Sequence, residues 1–453
     1  MRTLKRREFL HTGALALGGV FLTSRLAFAR TGWPKSRFVF IVMRGALDGL
    51  AAVPPVGDPD YAGLRRELAL KPPGSPGGAL PLNGFFGLHP SLTFLRDSYS
   101  ARELVVFHAI ASPYRERSHF DGQDVLENGS LQPHGMQTGW LNRALASLQS
   151  ARSQSKELGV ALGQNVPLVM RGPAEVTSWS PSKLAALDED TLERITDLYA
   201  GDPLLATRLA DALAADAIAD APEPAMQVAA GVATPMQAAA QPAALAQTAA
   251  TSFAARARAA APTSPDMRSI YPTPSLVQRA KPMRYTQIVR AAAGFLRRDD
   301  GPQVAVFDTT GWDTHANEGN AEGPLAARLA ALDAGLRTLK DELGRAWADT
   351  AVLLATEFGR TAATNGTRGT DHGTATAAFL LGGAVQGGRV LADWPGLSSR
   401  ALYQGRDLKP TTDLRSVLKG VLSEHLQVPS NVLDTSVFPD SAAARPTKGL
   451  FRA

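Results

Sequence analysis

Cysteine is absent from the 453-residue chain. That excludes disulfides, thiolate metal sites and cysteine nucleophiles, so any bound metal must rest on oxygen and imidazole ligands. Beyond the N-terminal leader there is no apolar run near the ~20 residues that a transmembrane helix takes. There is no internal repeat, and no strong excess of one charge. The formal net charge is +5, but Arg2, Lys5, Arg6, Arg7 and Arg25 against Glu8 place +4 of it within residues 1–29. The near-neutral remainder has no electrostatic footprint for nucleic acid.

What is present starts with that leader. Lys5-Arg6-Arg7-Glu8-Phe9-Leu10 is a basic patch with an arginine pair, Thr12–Leu22 is apolar, and Ala27-Phe28-Ala29 is a small-x-small cleavage site. This is a secretory signal of the twin-arginine kind. Residues 1–29 are expected to engage the twin-arginine translocation machinery and to be removed. The mature protein is then periplasmic or secreted, with no transmembrane anchor after cleavage.

Apolar residues make up 44% of the chain, enough for a sizeable core. Phe38–Met43, Leu104–Ile110, Val304–Phe307, Ala351–Thr356 and Ala377–Leu381 are short continuous apolar runs, read as buried strands. Val166–Met170 reads as a further strand. Helices are predicted over Ser91–Tyr99, His119–Glu127, Leu187–Ile218, Pro282–Arg298, Leu325–Ala346 and Thr411–Leu426, the last capped by Thr411 or Thr412. Strand, helix, strand over 304–356 is the βαβ unit of a parallel sheet. The expectation is one α/β domain over 30–453, a mostly parallel sheet flanked by helices. Its Ala/Pro/Gln-rich stretch at about 220–265 reads as a loosely packed insertion.

The chemistry-bearing residues gather at predicted strand ends, where open α/β sheets place ligands. Asp48 follows the first strand. Asp313 and His315 are two residues apart, so an extended segment would point them to one side. Glu357 closes the strand at 351–356, and Asp371-His372 lies in the loop before the next. These six are the candidate metal ligands; the alternative is that the carboxylates only hold histidine tautomers. Arg360 is a candidate anion binder, or else a salt-bridge partner of Glu357. Ser118 opens a helix beside Arg115 and Arg117, a place that favours anions, and equally reads as an ordinary capping serine. Of the other histidines, His108 reads as a hydrogen-bonded core residue and His89 as structural. His425 reads as a cation at a helix end, and His134 has no visible partner.

The leader, RGALDGL, SPYRERSHFD, GWDTH, TEFGRT and TDHGTA…FLLGGAV resemble, in that order, an exported bacterial family of unknown function catalogued as DUF-1501. That family is similar to the alkaline-phosphatase-like superfamily of phosphatases, sulfatases and phosphomutases. The resemblance implies an alkaline-phosphatase-like fold and one or two divalent ions, Zn²⁺ or Mn²⁺, on Asp48, Asp313, His315, Glu357, Asp371 and His372. Phe358 stands where relatives often carry a ligand. No Asp-Ser dipeptide follows the first strand, which leaves Ser118 as the nucleophile surrogate, with Arg360 or Arg115 steadying the anion. The implied function is metal-dependent hydrolysis of phosphate or sulfate esters, on a small anionic ester. The alternative is a noncatalytic envelope protein that keeps the fold and binds a surface polymer or a partner.

Overall fold

The computed structural model describes residues 36–150, 158–181 and 274–452, with isolated positions between 195 and 209. The leader, most of the predicted 187–218 helices and the Ala-rich stretch lie outside the described residues. In chain order the strands are β1 (Arg37–Arg44), β2 (Leu80–Pro81), β3 (Gly87–Leu88), β4 (Leu104–Ala111), β5 (Gly159–Leu162), β6 (Val176–Trp179), β7 (Val304–Thr310), β8 (Thr350–Ala355), β9 (Thr376–Leu381), β10 (Arg389–Leu391) and β11 (Thr412–Asp413). The helices that matter below are α1 (Gly49–Ala52), α2 (Tyr61–Arg65), α3 (Thr93–Ser100), α4 (His119–Asn128), α5 (Trp140–Ser150), α6 (Pro274–Leu296), α7 (Pro324–Leu343) and α8 (Leu414–Glu424).

The main sheet runs β10-β4-β9-β8-β1-β7-β5-β6, with β11 beside β4. Every pairing is parallel except those of β9 with β4 and β8. Alternation assigns each strand's side chains to two cores. Val39, Ile41 and Met43 join Leu329, Leu332 and Leu336 of α7 on one face. Phe38, Phe40 and Val42 join Leu141 and Leu145 of α5 and Val417 and Val421 of α8 on the other. Both faces are covered by helices, which is why these strands read as continuous apolar runs rather than alternating ones.

Two local expectations are corrected. Residues 168–170 form a 3-10 turn after Pro167, not a strand. The sheet edge there is built instead by β5 and β6, four residues each. The last helix begins at Leu414, capped by Asp413, whose side chain accepts from the Arg415 amide, because Thr412 is spent in β11. No helix among the described residues is long and apolar enough to cross a membrane.

His108 and His425 are both buried and neutral. His108 Nε2 donates to the Val53 carbonyl at 3.0 Å while Nδ1 accepts from the Ala109 amide at 2.8 Å, so a second proton would break a bond. His425 Nε2 donates to the Arg37 carbonyl at 2.8 Å, and the ring stacks on Phe451. It is therefore not the helix-end cation that its position implied. Burial pushes both imidazoles down to about 4. Between that value and the ordinary 6.5 the unfolded chain binds more protons than the folded one, so stability falls as pH drops through this window. Each ring is expected to remove up to roughly 3 kcal/mol. Urea unfolding at pH 7 and pH 4.5 checks this. His425→Gln, which keeps a donor and cannot titrate, should show a shallower pH dependence than the parent.

Candidate metal centre

The parallel strands deliver their carboxyl ends to one edge of the sheet. Gly45 follows β1, residues 112–119 follow β4, Asp313–His315 follow β7 and Glu357 follows β8. Because β9 runs antiparallel, the loop that precedes it, with Asp371 and His372, reaches the same edge. Close backbone approach makes the convergence possible. Gly45 has φ +118°, and a Cβ there would lie 2.8 Å from the Asp313 amide nitrogen. At Gly369 a Cβ would lie 2.4 Å from the His315 carbonyl.

Three imidazoles meet at one carboxylate oxygen. Asp313 Oδ1 lies 3.0 Å from His315 Nε2, 3.3 Å from His372 Nε2 and 3.5 Å from His119 Nε2. The two Nε2 atoms of His315 and His372 are 3.0 Å apart. His119, Asp313 and His372 make one group able to hold a metal ion, their candidate ligand atoms all within 4.8 Å of one another.

Each ring is held from behind through Nδ1. His119 Nδ1 donates to Glu357 Oε1 at 2.8 Å, His372 Nδ1 to the Arg117 carbonyl at 2.9 Å, and His315 Nδ1 faces Asp371 Oδ1 at 3.4 Å. Carboxylates and carbonyls only accept, so in His119 and His372 Nδ1 carries the proton and Nε2 presents a lone pair to the centre, whereas His315 lies between two carboxylates, Nε2 at 3.0 Å from Asp313 Oδ1 and Nδ1 at 3.4 Å from Asp371 Oδ1. The lone pairs of His119 and His372 and the anionic oxygen of Asp313, already paired with the Arg360 guanidinium, converge where a cation would be attracted. The Nε2 atom of His119 is buried and has no hydrogen-bond partner. The donor set therefore fits a divalent ion.

Electrostatics support the assignment of charges. Burial alone would raise Asp313, but the Arg360 guanidinium, with His315 and His119, holds it below the usual carboxylate range. Glu357 is fully buried, which would raise it; hydrogen bonds from His119, Thr356 and Gln123 hold it down instead. The Glu357 hydrogen bond in turn raises His119. Burial lowers His372. The centre opens on the side of Asp313, His315 and Asp371, whose side chains are 41%, 45% and 54% exposed. Beside that opening a cavity of about 220 Å³ is lined by Asp371, Arg406, Asn365, Thr361, Thr364 and Leu402, among others.

The structure sorts the sequence candidates. Asp313, His315 and His372 come together. Asp371 and Glu357 touch histidines rather than the centre. Asp48 is elsewhere: its Oδ1 caps α1 through the Ala51 amide, and its Oδ2 pairs with Arg65 at 2.5 Å. Arg360 is no free anion binder. Its Nη1 donates to Asp313 Oδ1 at 2.5 Å, Nε to Thr370 Oγ1 at 3.1 Å and Nη2 to the Thr370 carbonyl. It also makes no pair with Glu357. Arg115 donates to the Ser112 and Tyr114 carbonyls. Ser118 sits at the start of α4 without a side-chain capping bond. Phe358 is buried and stacks on His119 at 5.0 Å, walling the imidazole in. His134 does have a neighbour, Asp124 Oδ1 at 3.6 Å. His89 is structural, with Nε2 on the Asn320 carbonyl at 2.7 Å.

Sequence reasoning missed His119 as a candidate ligand. The available signal was its place, since 112–121 follows a buried strand just as the other site loops do.

An α/β protein with a histidine-rich centre at the carboxyl edge of a mostly parallel sheet is thus defined by fold and site. The chain belongs to the family described as "Protein of unknown function (DUF1501)", which matches residues 108–437 and so contains every residue of the centre. No curated protein matches it. A solved structure described as "Crystal structure of Ps i-CgsB in complex with k-i-k-neocarrahexaose" is 10% identical with a TM-score of 0.38, covering 91% of this chain and 77% of that one.

Proposed function

We propose that the chain is an exported divalent-metal hydrolase of phosphate or sulfate esters. The supporting observation is the convergence of three Nδ1-anchored imidazoles on Asp313 Oδ1. His119, Asp313 and His372 would hold the ion, with His315 as a fourth ligand, and this nitrogen and oxygen set suits Zn²⁺ or Mn²⁺. A bound ion would polarise the ester oxygen and lower the pKa of a water. The protein's own residues orient and shield. Arg360 fixes Asp313, Phe358 and His372 pack around His119, and Glu357 fixes its tautomer. Arg406 donates to the His372 carbonyl at 2.5 Å and lines the cavity at the open side, where it would meet an anionic substrate. No histidine or carboxylate is hydrogen-bonded to the Ser118 hydroxyl among the described residues, so water is the nucleophile this geometry favours. The leader supports export.

Tag-free protein is expected to carry about one divalent ion per chain and to turn over aryl phosphates or sulfates with Zn²⁺ or Mn²⁺. Protein that holds no ion and takes none up would overturn the reading. Metal uptake with no turnover across the panel would favour a noncatalytic envelope module on the same fold.

A further inference from the structure

Behind the centre lies a cluster of buried polar side chains that bind neither solvent nor the candidate ion. Glu318 is wholly buried. Its Oε2 accepts from Thr314 Oγ1 at 2.9 Å and from Thr370 Oγ1 at 2.8 Å. Thr314 is the residue between Asp313 and His315. Thr370 immediately precedes Asp371-His372, and its Oγ1 and carbonyl take two of the Arg360 donors. The third goes to Asp313 Oδ1. One carboxylate thus ties together both loops that supply the late ligands, and the arginine that aims the aspartate. Backbone bonds join the same loops, Thr370 N to Thr314 O at 3.2 Å and Glu318 N to Arg368 O at 2.9 Å.

We propose that Glu318 is the positioning residue of the metal centre: through Thr370 and Arg360 on one side and Thr314 on the other, it sets the orientation of Asp313 and the spacing of His315 and His372. The inference rests on the metal-centre reading above. Glu318 touches none of the candidate ligands itself, so its effect passes through hydroxyl groups of fixed direction. Its other oxygen, Oε1, faces Arg65 at 3.6 Å on the side of Asp48. Burial, followed by the charge of Asp48, pushes the Glu318 carboxyl up to about 8. In the structure its Oε2 only accepts, from both threonine hydroxyls, a role that the glutamine carbonyl oxygen can copy.

The test is competitive Zn²⁺ titration of the full chain after metal stripping, with the visible spectrum of the Co²⁺ form as a second readout. Urea midpoints of the stripped proteins report folding separately. Glu318→Ala and Thr370→Val are expected to weaken binding ~10–100-fold, the range for loss of an outer-sphere partner, and to shift the Co²⁺ bands. Glu318→Gln should restore affinity and spectrum to near those of the parent. If Glu318→Ala does not fold, Thr370→Val carries the comparison. Parent-like affinity and spectrum in a folded variant, even with a lowered urea midpoint, would make the role merely structural and overturn this proposal alone. A parent chain that takes up no ion overturns the metal-centre reading, and the proposal with it.

Discussion

Arg65→Met is expected to destabilise the protein by about 3–5 kcal/mol, the range for removing one partner of a buried pair. Arg65 has no solvent exposure, and neither of the carboxylates it faces has more than 1%. Its Nη2 lies 2.5 Å from Asp48 Oδ2 and 3.6 Å from Glu318 Oε1. Burial would raise Asp48, but the Arg65 guanidinium, together with Glu318 and the Ala51 amide, holds the carboxyl low. Methionine matches the stem and removes the charge, so Asp48 is left ionised, dry and without its cation. In that variant the folded pKa of Asp48 lies above its unfolded value. The missing stability should then return as pH falls from that folded pKa toward ~4, the unfolded value, with the return complete below it. Denaturant unfolding at pH 7 and pH 4 measures both effects. A variant within 1 kcal/mol of the parent at pH 7, outside the ~3–5 expected, would show that the guanidinium is not what stabilises Asp48.

That pair also marks the boundary of what the sequence made legible. An acidic residue just after β1 looks the same whether it meets a metal or an arginine. The deciding contact comes from Arg65, seventeen residues on, in the Pro/Gly-rich stretch where no periodicity points to it. Glu357 carries the same ambiguity, resolved only by the arrival of His119 from α4. By contrast Asp313, His315 and His372 were legible, because each follows or precedes an unmistakable buried strand.

The sheet was readable for a related reason. Strands buried on both faces, such as FVFIVM in β1, leave a dense apolar run. Their direction leaves no such trace, so the antiparallel course of β9 could not be read, although it is what carries His372 to the site. Arg360 was recognised as important but given the wrong partner. Its planar fork suits an anion, and here the anion is Asp313 of the same chain.

The sharpest separation between the two ligand sets comes from pairing His119→Ala with Asp48→Asn. His119→Ala removes an imidazole whose Nε2 lies 3.5 Å from Asp313 Oδ1 and has no other use. Metal affinity is expected to fall by more than the ~10–100-fold seen for outer-sphere losses, and hydrolytic turnover should fall with it. Some stability is lost with the His119 bond to buried Glu357, but the fold should survive, since Glu357 keeps donors from the Gly45 amide, Gln123 and Thr356. Asp48→Asn should behave in the opposite way. Asparagine keeps the capping oxygen of α1 but drops the charge facing Arg65, so stability falls while metal affinity stays within a few-fold of the parent. Zn²⁺ titration and urea unfolding of both variants give the four numbers. Loss of metal in Asp48→Asn with retention in His119→Ala would return the centre to the strand-end carboxylates. The expected pattern assigns it to the three imidazoles around Asp313.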